Sequence, residues 1–302
     1  MTSDARQAPL FDPVNAAMGV HLRERGENGL VYEQELGKRF HDHRGQSTLG
    51  SVGVLLDTAV AGTIYASLPS GQRSVAASLT VSSAKALPAA GIVTAFGRSE
   101  HVDVAAGTGL ASGSLRDADG DVCAIISARG VVVDRKFDHS GVEGEPRLPS
   151  AGVAVADTDA ELSQRLGLDV VQGMALGEIP RGAMADLLEL ELRIVETGAV
   201  TAVLTPQEWM ANSMGTLQGG ILLAVADQIC GLAAETATDP GERYRVLDLR
   251  TDFVRSPDVT GPDIRLEANV VRVGRRIELV EARIATSGGK LLTRASASVQ
   301  RF

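Results

Sequence analysis

From Ile221 to Ala234 the chain runs Ile-Leu-Leu-Ala-Val-Ala-Asp-Gln-Ile-Cys-Gly-Leu-Ala-Ala, which is apolar on nearly every face of a helix. An ordinary surface helix hides one stripe, whereas a helix of this kind must be enclosed. A polar turn, Asn212 to Gly220, opens directly into it, with Gly219 and Gly220 where the first helical amides lack partners. Small residues there let a ligand oxygen approach bare N–H groups. One carboxylate, Asp227, sits two turns inside, and a buried charge is costly unless it is paired or used.

The rest of the chain supplies the enclosure twice. Adding 170 to a position in the first half finds its counterpart in the second, without a gap over about eighty residues. Leu22-Arg23 meets Leu192-Arg193, Gly45 meets Gly215, Gly50 meets Gly220, Asp57 meets Asp227 and Leu79 meets Leu249. Two copies of one fold are expected, at 10–136 and 160–302, with 137–159, rich in Gly, Pro, Ser and Asp, as a linker. Each copy is predicted to begin with a short amphipathic segment, Pro13 to Met18 and Ala160 to Leu166. Two strands follow, Leu187–Val195 and Ala199–Thr205 in the second copy, where Leu188, Leu190, Leu192 and Ile194 alternate. After the helix come strands at Arg245–Val254, Ile264–Val273, Ile277–Thr286 and Leu291–Gln300, with hairpins at Gly274, Gly288-Gly289 and, in the first copy, Asp119-Gly120. The layout is α+β, an antiparallel sheet wrapped around each apolar helix.

Composition narrows the function classes. A net charge of −9 and a pI near 5.1 argue against nucleic-acid binding. No uncharged apolar run approaches a membrane span, and the N-terminal residues show no secretion signal. Cys123 and Cys230 lie in apolar surroundings with no ligand spacing, so reduced cysteines, no metal and a cytoplasmic location are expected.

Asn212, the run Gln218-Gly219-Gly220, and Asp227 resemble the signature of the hotdog-fold acyl-CoA thioesterases, in the group that includes the phenylacetate-pathway and 4-hydroxybenzoyl-CoA enzymes. That group usually has His where Gln218 stands. The resemblance covers both copies and implies a tandem hotdog protein whose halves form an internal pseudo-dimer. It further implies thioester hydrolysis, with the turn of one copy and the acid of the other at each site and CoA as part of the substrate. Helix geometry agrees with the crossing, since eight residues separate Gly219 from Asp227, about 12 Å along the axis. Site one then combines Asn212, Gln218 and Gly219 with Asp57, and Gly220 adds a substrate contact. Site two combines Asp227 with Asp42, Thr48 and Leu49, and is expected to be degraded. A leucine crowds the carbonyl's approach and Asp42 opposes an oxyanion.

Each residue has a plainer explanation. Asp57 alone could be satisfied by neighbouring backbone or by Thr58, the glycines could mark tight packing, and Asn212 and Gln218 could be turn residues. Arg255, Arg272, Arg275 and Arg276 suit CoA phosphates, although a solvated strand end explains the 272–276 hairpin as well. His41 and His43 flank Asp42 and are expected in a polar turn, and Trp209 is expected to be a packing residue. A homo-oligomer is expected, driven by apolar surface left on the sheets. Two other functions stand beside hydrolysis: acyl-CoA or lipid binding without catalysis, and a hydratase or dehydratase, for which neither helix turn offers a histidine beyond His41 and His43.

Overall fold

The computed structural model describes residues 12–27, 29–133 and 159–302, so the expected linker and its boundaries lie almost wholly outside the described residues. The first copy contributes α1 (Pro13–Met18), β1 (Val20–Gly26), β2 (Gly29–Leu36), the central helix α2 (Leu49–Ala66), and β3 (Arg73–Ser83), β4 (Gly91–Asp103), β5 (Thr108–Arg116) and β6 (Val122–Val133). The second contributes α3 (Asp159–Leu162), α4 (Gly167–Ala175), α5 (Ala183–Leu187), β7 (Glu191–Glu196), β8 (Ala199–Leu204), the central helix α6 (Gly219–Glu235), and β9 (Tyr244–Phe253), β10 (Ile264–Val273), β11 (Ile277–Thr286) and β12 (Leu291–Arg301).

The twelve strands form one sheet in the order β1-β2-β4-β5-β6-β3-β9-β12-β11-β10-β8-β7. The second half of that order mirrors the first, and the halves join where β3 pairs antiparallel with β9. At the centre of that pairing Thr80 faces Arg250, residues 170 apart, so a pseudo-two-fold axis passes there. Each six-stranded half wraps one central helix, and the inward positions of β11 (Glu278, Val280, Ala282, Ile284) are buried. Every α6 residue from Gly220 to Glu235 is buried, as a helix apolar on all faces requires. α2 has the length and composition of a membrane span, but it is the other core helix and 78% buried.

The 170-residue register sharpens one expectation and corrects two. The short helix matching α1 is α5, not the segment at Ala160 to Leu166. Val14 N donates to Ala211 O (3.3 Å) and its counterpart Met184 N donates to His41 O (2.9 Å). Ala160 to Leu166 instead splits into the end of α3 and the approach to a separate helix, α4. The strand predicted from Leu187 starts only at Glu191, because α5 and a left-handed Glu189 (φ 51°) precede it. Leu188 and Leu190 are buried by helix and turn packing, which mimics strand alternation.

The central helices differ. α6 is regular, whereas α2 begins as a 3-10 turn (Leu49–Val52), becomes α-helical (Gly53–Leu56), widens into a π turn (Asp57–Ala61) and ends α-helical (Gly62–Ala66). Room for the wide turn comes from β4, where a Cβ on Gly97 would fall 2.1 Å from Ala59 O. Where α2 and α6 cross, Gly53 and Gly220 bring backbones together, and a Cβ on either would lie 2.5 Å from the other's carbonyl oxygen.

Candidate functional site

The turn before each helix is built the same way. Isolated bridges pair Ala211 with Leu217 and His41 with Ser47. Asn212 Oδ1 accepts from Met214 N (2.9 Å), Thr216 N (3.1 Å) and Thr216 Oγ1 (3.1 Å). Asp42 Oδ1 accepts from Arg44 N (2.9 Å) and Gln46 N (2.8 Å). Both side chains thus tie their own turns, as Asx residues do. Asn212's carbonyl oxygen is thereby engaged within its own turn.

At site one, Asp57 on α2 meets the N-terminus of α6. Gly220 N lies 3.2 Å from Asp57 Oδ2 and 2.7 Å from Gln218 Oε1, a shared bond. Gln218 caps the helix, and its Nε2 donates to Thr58 Oγ1 (3.3 Å), which itself donates to Asn15 Oδ1 (2.9 Å). Thr58 therefore does not satisfy Asp57, whose Oδ1 is buried without a hydrogen-bond partner. A Cβ on Gly219 would fall 2.9 Å from Asp57 Oδ2, so the acid sits against the glycine's α-carbon. None of the described hydrogen bonds uses the Gly219 amide. Asp57, Asn212, Gln218 and Gly219 line one cavity of about 130 Å³, which continues along α2 past Ala61, Gly62, Tyr65 and Ala66.

Burial pushes the Asp57 carboxyl up to about 7, the charge of Asp12 adds to the rise, and the Gly220 amide opposes it. Asp12 lines the same cavity and accepts from Ser213 N across the pseudo-dimer (2.6 Å); burial raises it to about 6. Sequence reading missed Asp12. It stands just before Pro13 and looks like a cap for α1, yet makes no capping bond there.

Site two repeats the acid–amide contact. Gly50 N donates to Asp227 Oδ2 (2.8 Å), and Asp227 Oδ1 is buried. Gln228 Nε2 donates to Thr48 Oγ1 (3.4 Å), the bond of site one with its amide on the opposite helix. Burial raises Asp227 to about 6, with Thr48 and Gly50 opposing and Asp42 adding to the rise. Asp42, Thr48, Leu49 and Asp227 line a cavity of about 400 Å³. Asp42 contributes to that rise from a turn whose amides hold it.

The marked contrast lies beside the acid. His43 Nε2 pairs with Glu235 Oε2 (2.6 Å), and Arg44 Nη2 with Glu235 Oε1 (2.5 Å). Arg44 Nη1 also pairs with Asp159 (3.1 Å), and Arg243 Nη2 with the other oxygen of Asp159 (2.7 Å). Against its burial, Glu235 and then Asp42 raise His43 while Arg44 opposes them, and His43 and Arg44 hold Glu235 low despite its own burial. His43 thus lies in the expected polar turn but is buried there. His41, by contrast, is half-buried, with its Nε2 2.7 Å from Ala89 O.

The arginines expected at CoA phosphates line neither cavity. Arg272, Arg275 and Arg276 are exposed on the β10–β11 hairpin, whose Arg276 carbonyl accepts from Arg301 N (2.8 Å). Arg255 donates to Leu291 O (2.9 Å). Among the described residues, Arg25 is the arginine that lines the site-one cavity. Trp209 is buried beside Gln207, and both cysteines are buried and unpaired.

Two packed copies of one helix-in-sheet unit define a tandem hotdog architecture. The chain matches, over 97% of its own length and 99% of the other, a hotdog-fold protein of unknown function from Alicyclobacillus acidocaldarius (11% identity, TM-score 0.62). It likewise matches a tesB protein from Mycobacterium avium subs paratuberculosis (11% identity, 96% and 98% covered, TM-score 0.61) and an acyl-CoA thioesterase II from Mycobacterium marinum (12% identity, 96% and 98% covered, TM-score 0.59). Within this fold, residues 214–293 match the model of the thioesterase superfamily, which starts in the turn before α6 and ends in β12. The resemblance of the sequence to hotdog thioesterases thus holds. A search of the curated proteins finds no match.

Proposed function

We propose that the protein hydrolyses acyl-CoA thioesters at site one. The observation that carries this reading is a buried carboxylate oxygen without a described partner, Asp57 Oδ1, on a residue that lines one cavity with the first amide of the opposite helix, which none of the described hydrogen bonds uses. The thioester carbonyl would take the Gly219 amide, where the helix dipole supports the oxyanion; losing one such donor typically costs about 2.7–4 kcal/mol. Asp57 would act as base toward water or as nucleophile, and its raised pKa of about 7 suits proton transfer near neutrality. Gln218 Nε2 and Thr58 Oγ1, already bonded to each other, would hold the water or the thioester beside it. The match of residues 214–293 to the thioesterase superfamily supports the same reading.

The test is release of free thiol from octanoyl-CoA. Asp57→Asn is expected to lower kcat/KM by about 10²–10⁴-fold, the usual worth of general acid–base catalysis, and Asp227→Asn to leave it nearly unchanged. Equal losses, or a loss only from Asp227→Asn, would overturn the assignment to site one. Tight binding of octanoyl-CoA with no turnover in the unmutated protein would make it a binding protein instead. Self-association is part of the proposal, supported by Val271, Val273, Ile277 and Leu279 exposed on the β10–β11 hairpin, and light scattering tests it.

A further inference from the structure

Resting on that reading, we infer that site two is a second hydrolytic centre, confined to acyl groups too short to pass its acid. The two cavities are related by the pseudo-two-fold, but they use their helices differently. Along α2 the site-one cavity touches Asp57, Thr58, Ala61, Gly62, Tyr65 and Ala66. Tyr65 lies eight residues past the acid, about two turns along the helix. Along α6 the site-two cavity touches only Asp227 and Gln228 and stops there, although its total volume is larger.

Tyr244 closes the way. Its ring lies on Gly231, one turn beyond Asp227, where an added Cβ would be 2.7 Å from the ring edge. It also stacks on His43, with ring centroids 6.5 Å apart and planes at 19°. Adding 170 shows what stands in these places at site one: Ser74 for Tyr244, Ala61 for Gly231 and Ser213 for His43. The Glu235–Arg44 pair, where site one has Tyr65 and Met214, completes the wall. What remains before the wall repeats the acid side of site one, and the Leu49 amide, used by none of the described hydrogen bonds, stands where site one has the amide of Gly219. Asp227 Oδ2 holds the Gly50 amide, Asp227 Oδ1 is unpartnered, and Thr48 and Gln228 stand beside them.

The reaction at this centre takes a water molecule. Asp227 accepts one of its protons, the oxygen bonds to the thioester carbon, and the carbon–sulfur bond breaks. CoA leaves as thiolate with the electron pair and takes the proton from Asp227, giving carboxylic acid and free thiol. Acetyl-CoA is the substrate class that fits.

Octanoyl-CoA and acetyl-CoA, offered separately and together, test this. In the unmutated protein, saturating octanoyl-CoA is expected to leave part of the acetyl-CoA hydrolysis running, because one site excludes the longer chain. Complete inhibition overturns the inference. Asp57→Asn is expected to keep the part of acetyl-CoA turnover that octanoyl-CoA leaves running while losing that of octanoyl-CoA, and Asp57→Asn with Asp227→Asn to lose both. If Asp57→Asn alone abolishes both while its thermal unfolding is intact, site two is not hydrolytic, and site one survives unharmed. If the unmutated protein turns over neither thioester, the thioesterase reading itself falls and this inference with it. Tyr244→Ser on the Asp57→Asn background is expected to restore measurable octanoyl-CoA turnover; no gain would remove Tyr244 as the gate.

Discussion

Site one and site two are made from the same turn, the same acid position and the same amide, yet one opens along its helix and the other is walled by charge. At site one the positions beside the turn are Ser213 and Met214, with Tyr65 further along the helix, where Arg73 donates to its hydroxyl (2.9 Å). At site two they are His43, Arg44 and Glu235, joined in a buried network. A duplicated fold can thus keep its backbone symmetry and still divide its interfaces, because a few side chains at the helix ends decide how much room is left. The comparison also explains the π turn. It begins at Asp57, and Gly97 makes space for it against β4, whereas α6 runs straight past Asp227. Such a turn re-aims the residues after the acid, and π turns recur at functional sites.

The largest effect should come from breaking the charged wall. Glu235→Ala removes the buried carboxylate that His43 and Arg44 share, with Arg44 keeping Asp159, and unpairing one member of a buried ionic pair costs about 3–5 kcal/mol. Its counterpart change, Tyr65→Phe, removes one hydrogen bond from Arg73 and should cost about 1 kcal/mol. Urea unfolding compares the two, and equal costs would show that the network does not hold site two together.

A smaller effect separates neighbouring glycines. Gly220→Ala drives a methyl toward the Gly53 carbonyl oxygen at 2.5 Å, backbone that cannot turn aside, so a loss of about 1–3 kcal/mol in stability is expected. Gly219→Ala meets the Asp57 carboxylate instead, at 2.9 Å. It should leave unfolding nearly unchanged while lowering kcat/KM for octanoyl-CoA about tenfold or more, through a displaced acid. The opposite pattern, stability lost at Gly219 and activity at Gly220, would mean that the helix crossing, not the acid, occupies that contact.

How much of this was legible depended on distance along the chain. Periodicity and the 170-residue register exposed the helix, the strands and the correspondence of Asp57 with Asp227, because those signals repeat within an element or from one copy to the other. The turn residues Asn212 and Asp42 were visible, but not that each spends its oxygen on its own turn, since an Asx turn and a catalytic amide share one sequence. Asp12 and the Arg44–Glu235–Asp159 network were hidden for another reason. Their partners lie 201, 191 and 115 residues away, and no local pattern marks such meetings. Leu188 and Leu190 misled as strand residues because a helix end and a turn can also bury alternate positions.

The smallest effect, and the one that sharpens the comparison furthest, is in pH. Asp57 is raised to about 7 and Asp227 to about 6, and each must be ionised to act as base. Hydrolysis of octanoyl-CoA should therefore rise through about pH 7, and the acetyl-CoA hydrolysis left in Asp57→Asn through about pH 6. Part of the higher value is the charge of Asp12, so Asp12→Asn should move the octanoyl-CoA profile toward lower pH and leave the other in place. Stability carries the matching sign. Asp57 has a folded pKa above its unfolded one, so its contribution is fully present below about pH 4 and is lost as pH rises through about 7. Asp57→Asn has no such loss, and its thermal midpoint should climb relative to the unmutated protein across that window and stay level above it. A constant difference from pH 4 to pH 8 would mean that Asp57 titrates normally, and the two acids would then no longer be distinguished by their burial.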